Sequence, residues 1–283
     1  MLKKKWKEFF MSQLPLIFTV PALLWPILLL LLPMMVMIVT SFLTSEGNCC
    51  SFNHYLHFVD WLYVSIFIRS FVLALVTASC TLLLGFPVAY YVAVHARRAK
   101  QILLFLLTLP FWTNFIVQVY AWFFILEKQG LLNSLLLHLG IIAEPIQFSY
   151  TFGAVLLLMV YCYLPFMIMP IYTVLEKLNL QLLEASMDLG ATRTQTFWRV
   201  TLPLSLSGIR TGVALVFVPA FGEFVIPSLV GGGKFATAGS MITYYFLTEH
   251  NIAYGAAFTV LTGMMLILSI ILLNYFLRTL HHN

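Results

Sequence analysis

Six runs of mostly apolar residues set the limits on what this chain can become: 14–40, 66–94, 102–126, 152–175, 209–230 and 254–276. Each is long enough for the ~20 residues that a helix needs to cross a hydrocarbon core. Lipid supplies no hydrogen bonds, so backbone in such runs must satisfy itself as helix or closed barrel. Runs this long and continuous read as helices. Apolar residues make up 61% of the chain and charged residues 9%, with a mean hydropathy of +0.97. A soluble domain carries roughly 25% charged residues, so a water-exposed globular fold is excluded. The 283 residues hold six spans and their loops, with no stretch left over for a soluble domain. The expected fold is an all-α polytopic membrane protein with six transmembrane helices.

The net charge of +5 does not mark a nucleic-acid binder, because the cations are placed at span ends. Lys3, Lys4, Lys5, Lys7, Arg97, Arg98, Lys100, Lys177, Arg193, Arg199, Arg210 and Arg278 fall on one side of a six-span path; only Arg69, Lys128 and Lys234 fall on the other. Positive charge collects on the cytoplasmic side. Both termini are therefore expected in the cytoplasm of a multi-pass protein of the bacterial inner membrane. Lys3–Lys5 ahead of an apolar run resembles a signal peptide, but the run is too long and no small-x-small cleavage site follows. Pro15, Pro21, Pro26 and Pro33 are expected to kink the first span or break its ends.

The segments follow from this frame. Residues 1–13 form a basic cytoplasmic start, and 14–64 the first span with an external loop. Residues 65–278 hold five further spans, and 279–283 form a tail. Short helices are expected at 131–139 and 240–248. Cys80 and Cys162 sit in apolar runs as small hydrophobes, while Cys49 and Cys50 are adjacent in the external loop. No cysteine–histidine spacing suits a metal. Gly231-Gly232-Gly233-Lys234 lacks the glycine spacing of a phosphate-binding loop, and Phe235 takes the Ser/Thr place. No nucleophile–base arrangement is visible, so the chain is not expected to be an enzyme.

The long polar stretch between spans four and five, 176–205, reads as a helical hairpin. Asn179 is a good N-cap, Leu180, Leu183 and Met187 repeat at helical spacing, and Gly190 is a left-handed terminator. Thr192 and Gln195 form a capping box for a second helix, which Pro203 is expected to end. Leu183, Met187, Phe197 and Trp198 have no core of their own there. They must rest on the membrane base, as in any interfacial helix, or on a partner.

Glu184-Ala185-Ser186, Gly190, Val200 and Leu202-Pro203 spell E-A-S-x3-G-x9-V-x-L-P. This resembles the cytoplasmic EAA loop of permease subunits in ATP-binding-cassette importers, where E-A-A and I-x-L-P are usual; Ser186 and Val200 are the two departures. The resemblance implies the type I importer permease (MetI-like) fold. It makes Leu183, Glu184, Ala185, Ser186, Asp188 and Gly190 the coupling residues that meet a separate ATPase. Pro110-Phe111-Trp112-Thr113-Asn114 with Val119-Tyr120-Ala121-Trp122 is similar to the spermidine/putrescine permeases. So is Gly222-Glu223-Phe224-Val225-Ile226-Pro227 with Gly231-Gly232. The likeness runs from about Arg69 to the C-terminus, and more loosely through span one. It implies the first permease subunit of a polyamine importer. Its partners would be a homologous second permease, two ATPase subunits that bind ATP and Mg, and an external binding protein. No cofactor is expected on this chain. A self-powered secondary transporter would need a midplane ion site and inverted repeats, and the sequence offers neither.

Glu223 is the acidic residue set well inside an apolar run, thirteen residues beyond Arg210 or roughly 20 Å into the membrane. Charges at that depth cost ~2.5–3.5 kcal/mol and usually face a pathway. Two readings stand: Glu223 balances a substrate ammonium, or it ties span five to a neighbour. Trp112, Tyr120, Tyr161 and Phe221 are candidates for cation–π contact, or else ordinary packing and belt residues. Asn114 lines the same pathway or bridges helices.

Overall fold

The computed structural model describes residues 2–43, 52–96 and 99–282, with 2–19, 21, 53, 180 and 276–282 as backbone alone. Glu46, Cys49, Cys50, Arg97 and Arg98 lie outside the described residues. The helices in chain order are α1 Leu2–Ser41, α2 Asn53–His57, α3 Trp61–Tyr90, α4 Lys100–Trp112, α5 Phe115–Leu126, α6 Leu131–His138, α7 Phe152–Glu176, α8 Leu180–Asp188, α9 Arg193–Thr196, α10 Leu202–Phe221, α11 Val225–Leu229, α12 Ala238–Thr243 and α13 Ile252–His282. Wider π-helical turns occupy Tyr91–His95, Phe197–Thr201 and Tyr244–Thr248. Six helical stretches are long and apolar enough to cross a membrane.

The chain divides into two units. The first comprises Met1–Val59 and Tyr245–Leu261. In it α1 runs unbroken through Pro15, Pro21, Pro26 and Pro33, so the expected break in this span does not occur. Below it, Ser41 and Tyr55 share a 2.6 Å hydroxyl hydrogen bond, and His54 and His57 set their rings edge-on to Tyr254 at 4.7 and 5.2 Å.

The second unit comprises Asp60–Tyr244 and Thr262–Asn283. Its centre is α7, whose Leu158, Met159, Met167, Ile168, Ile171 and Leu175 are fully buried against α3 and α10. No hydrophobic force drives apolar helices together in lipid, so close backbone approach must do it. Gly208 and Gly212 of α10 provide that approach. A Cβ on Gly208 would lie 2.8 Å from the Pro170 carbonyl oxygen, and one on Gly212 2.8 Å from Met167 Sδ. At the far end of α7, Glu176 accepts a 2.5 Å hydrogen bond from Lys100 of α4, and the Lys100 ammonium lies 5.4 Å from the Tyr172 ring centroid. This pair fixes one membrane level for α4 and α7.

Three boundaries differ from the sequence reading. The run 102–126 is two helices, because Asn114 starts a new one: its Oδ1 accepts from the amides of Ile116 at 2.9 Å and Val117 at 3.4 Å. The fifth span begins at Leu202 rather than 209 and stops at Phe221, with α11 following after Gly222–Phe224. Pro203 does not end a helix. Helical backbone passes from α9 through the π turns of Phe197–Thr201 into α10, and Pro203 sits in the first turn of α10. The wider turn just ahead of it accommodates a residue with no N–H to give.

Candidate functional site

The polar hairpin forms as its residues dictate. Asn179 caps α8 by accepting from Gln181 N at 3.0 Å. Gly190 has φ +87°, its N–H donates to Met187 O at 2.9 Å, and Ala191 N–H donates to Ser186 O at 3.1 Å. That pair of bonds is the Schellman turn, and a left-handed residue makes it possible. Thr192 and Gln195 then close their capping box around α9. Ser186 and Thr196 share a 3.0 Å hydrogen bond that ties the two helices. Leu183 turns inward and is buried, while Glu184, Ala185 and Asp188 are exposed.

The hairpin's apolar residues split accordingly. Leu183 and the Phe197 ring, which meets Phe86 edge-on at 5.6 Å, seal it to the membrane body. Leu189 is 90% exposed and Trp198 61%, and Leu182 and Met187 are also open. A cavity of about 670 Å³ lies behind the hairpin, lined by Tyr90, His95, Glu184, Met187, Arg193 and Phe197 among others.

The other candidate residues sit at two interruptions in the spans. The first is at Thr113–Asn114. Gln118 stitches it by donating to the Pro110 carbonyl at 2.5 Å and to Thr113 Oγ1. Trp112, Thr113, Asn114 and Tyr120 are all exposed. The second is at Gly222–Phe224, where Glu223 is 8% exposed. Its Oε1 accepts from the amides of Phe224, Val225 and Ile226 at 3.1, 2.9 and 3.4 Å, and its Oε2 accepts from the Tyr163 hydroxyl at 2.6 Å. Its carbonyl accepts from Thr237 Oγ1 at 2.9 Å. Glu223 thus caps α11 and pins it to α7.

The two interruptions lie at one depth. Asn114 is fourteen residues from Lys100 and Tyr163 thirteen from Glu176, each roughly 20 Å from that ion pair at 1.5 Å per residue. The short helix α11 packs on both α5 and α7. Tyr161 meets Trp122 of α5, with ring centroids 5.2 Å apart. Phe221 is 2% exposed and packs inward near Phe217, with centroids 6.1 Å apart, so within this chain it is core. Tyr163, Thr237 and Gln118 were not singled out in the sequence. Gln118 could have been, as a lone amide in an apolar run. Tyr163 could not, since sixty residues separate it from its partner.

A membrane body of six apolar helical stretches, two interrupted spans and a capped hairpin between spans define a polytopic membrane permease. Residues 81–282 match the family described as the binding-protein-dependent transport system inner membrane component. The chain belongs to this family. It is 39% identical over 252 residues to the spermidine/putrescine transport system permease protein PotB of Escherichia coli (strain K12), spanning 86% of this chain and 92% of that protein. Identity to the protein of the same description from Haemophilus influenzae is 36% over 257 residues, 89% of each. The inner membrane ABC transporter permease protein YdcU of E. coli is 34% identical over 217 residues, 72% of this chain and 68% of that one.

Among solved structures, a chain of a bacterial ABC transporter involved in import of the acidic polysaccharide alginate superposes with a TM-score of 0.76 at 17% identity, covering 98% of this chain and 99% of that one. A chain of the MetNI methionine ABC transporter gives 0.58 at 18%, covering 77% and 96%. These two matches speak to fold, which is that of the type I ABC importer permeases.

Proposed function

We propose that the chain forms half of the translocation pathway of an ATP-driven polyamine importer. It pairs with a homologous second permease. Two ATPase subunits carrying ATP and Mg bind its hairpin through Leu183–Asp188 and Gly190, and an external binding protein delivers spermidine or putrescine. The observation that carries this reading is the capped hairpin, which presents Leu189 and Trp198 to the outside although each is large and apolar. The 36–39% identity to proteins described as spermidine/putrescine permeases supports the substrate class.

The first interruption supports a pathway through Trp112, Asn114 and Tyr120. Irregular backbone at membrane depth is tolerated only against protein or a water-filled cavity, and 113–114 is exposed on this chain. The carbonyl end of α4 carries partial negative charge, which suits an ammonium, as do nearby aromatic faces. Glu223 adds a full negative charge at the same depth while its cap fixes the second interruption. Radiolabelled uptake by the complex reconstituted in vesicles tests the whole reading. Spermidine or putrescine should accumulate only with ATP. Accumulation without ATP, or of unrelated solutes alone, would overturn it.

Sidedness has its own check. In a cysteine-free background, Glu144→Cys should react with a membrane-impermeant thiol reagent added to intact cells. Arg193→Cys should react only after permeabilisation. The reverse pattern would put the hairpin outside and remove the ATPase contact.

A further inference from the structure

On the side opposite the hairpin, a cavity of about 470 Å³ opens between the outer part of α3, the start of α7 and residues 234–237. Its walls are apolar, with Ile68, Val72, Phe152 and Phe235 among them, and Arg69 and Lys234 both line it. These are two of the three cations that break the chain's charge bias. Both are exposed, and neither meets a carboxylate among the described residues. The positive end of the 25-residue helix α7 opens at Phe152 on the same cavity.

Depth decides what fits. Arg69 lies 26 residues from His95 along α3 and its π-helical end, and Phe152 lies 24 residues from Glu176. At 1.5 Å per residue these are roughly 39 and 36 Å, beyond a ~30 Å hydrocarbon core and inside the ~40–45 Å that includes headgroups. The two cations therefore stand at the outer headgroup level, directly over an apolar wall.

We infer that Arg69 and Lys234 hold the phosphate of an anionic phospholipid of the outer leaflet, its acyl chain lying along Ile68, Val72 and Phe152. A phosphate over a hydrocarbon tail matches both halves of the cavity. The acidic surface of a soluble protein would match the cations and leave the apolar wall unused. The placement rests on the sidedness proposed above, but binding in detergent does not depend on it, so the two ideas fail separately.

The test is native mass spectrometry of the full-length chain, purified with its partner subunits in detergent and titrated with phosphatidylglycerol or phosphatidylcholine. The wild type should retain one phosphatidylglycerol that the Arg69→Gln/Lys234→Gln variant binds at least tenfold more weakly. Phosphatidylcholine retention should be unchanged, which also reports an intact fold. Lys128→Gln removes the third outer cation, away from the cavity, and should behave as wild type; Arg69→Lys/Lys234→Arg should restore binding. Should the double variant misfold, the single variants are read instead, each expected to weaken binding about threefold. Equal phosphatidylglycerol retention by wild type and variants overturns the inference. So does a double variant that keeps the lipid but no longer captures a purified external binding protein, which would assign the cations to that partner.

Discussion

A Leu189→Glu chain should insert and fold as the wild type does, yet bind its ATPase partner roughly tenfold to hundredfold more weakly. Leu189 is 90% exposed at the hairpin tip, one residue before Gly190, and touches nothing that the fold needs. Burying a leucine side chain in an interface is worth ~1.5–3 kcal/mol, and 1.4 kcal/mol is a factor of ten. A carboxylate in that place adds a desolvation cost. Co-purification of ATPase with tagged permease measures the effect, and ATP-driven uptake should fall with it. Trp198→Ala should act in the same direction. Wild-type capture of ATPase by Leu189→Glu would show that the hairpin tip is not the docking surface. Gly190→Val makes a useful contrast. Open space surrounds the Cβ position, so only backbone strain at φ +87° is added, at a cost of ~1–2 kcal/mol to the turn itself.

Two substitutions at Glu223 should part company. Glu223→Ala leaves the α11 amides and the Tyr163 hydroxyl without their acceptor. Each buried group left unsatisfied costs ~1–3 kcal/mol, so even two of them consume much of a typical 5–15 kcal/mol stability. Yield of assembled complex should drop at least fivefold. Glu223→Gln keeps an oxygen for the amides, and its NH2 can donate to the Tyr163 oxygen. Assembly should be within twofold of wild type. With the negative charge gone, polyamine KM should rise about tenfold, the lower end of what a hydrogen bond to a charged group is worth. Normal assembly of the alanine variant would remove the capping role, and an unchanged KM in the glutamine variant would remove the charge role.

These contrasts mark where sequence stops being enough. The hairpin was legible because its bonds are local: Asn179, Gly190 and the Thr192–Gln195 box each act within a few residues, and all appear as the spacing implies. The spans were legible because lipid imposes one length and one polarity. Interruptions were not. The polar Thr113–Asn114 step sat inside an apolar run whose average hid it, although Pro110, Asn114 and Gln118 together spell a stop, a cap and a stitch. At the second interruption, Gly222 and Glu223 were visible, but the partners of Glu223 come from residues 163 and 237. No local pattern points across sixty residues. Pro203 misled for the opposite reason: the rule that proline ends helices assumes α-turns, and the chain uses a π turn there.

That unbroken passage turns span five into a lever. Helical backbone runs from Arg193 on the hairpin to Phe221 beside Glu223, 29 residues or roughly 43 Å. Its natural fulcrum is the Gly208–Gly212 step, where α10 lies hard against α7 and sliding is blocked by backbone on both sides. A rod held in its middle cannot move at one end alone. Tilting it by about 10° would carry the hairpin end some ~4 Å one way and the Glu223 end about 2–3 Å the other, at 1.5 Å per residue along each arm. The stroke of a nucleotide-driven subunit at Leu189 would thus arrive, reversed in sign and little diminished, at the outer interruption of the membrane path.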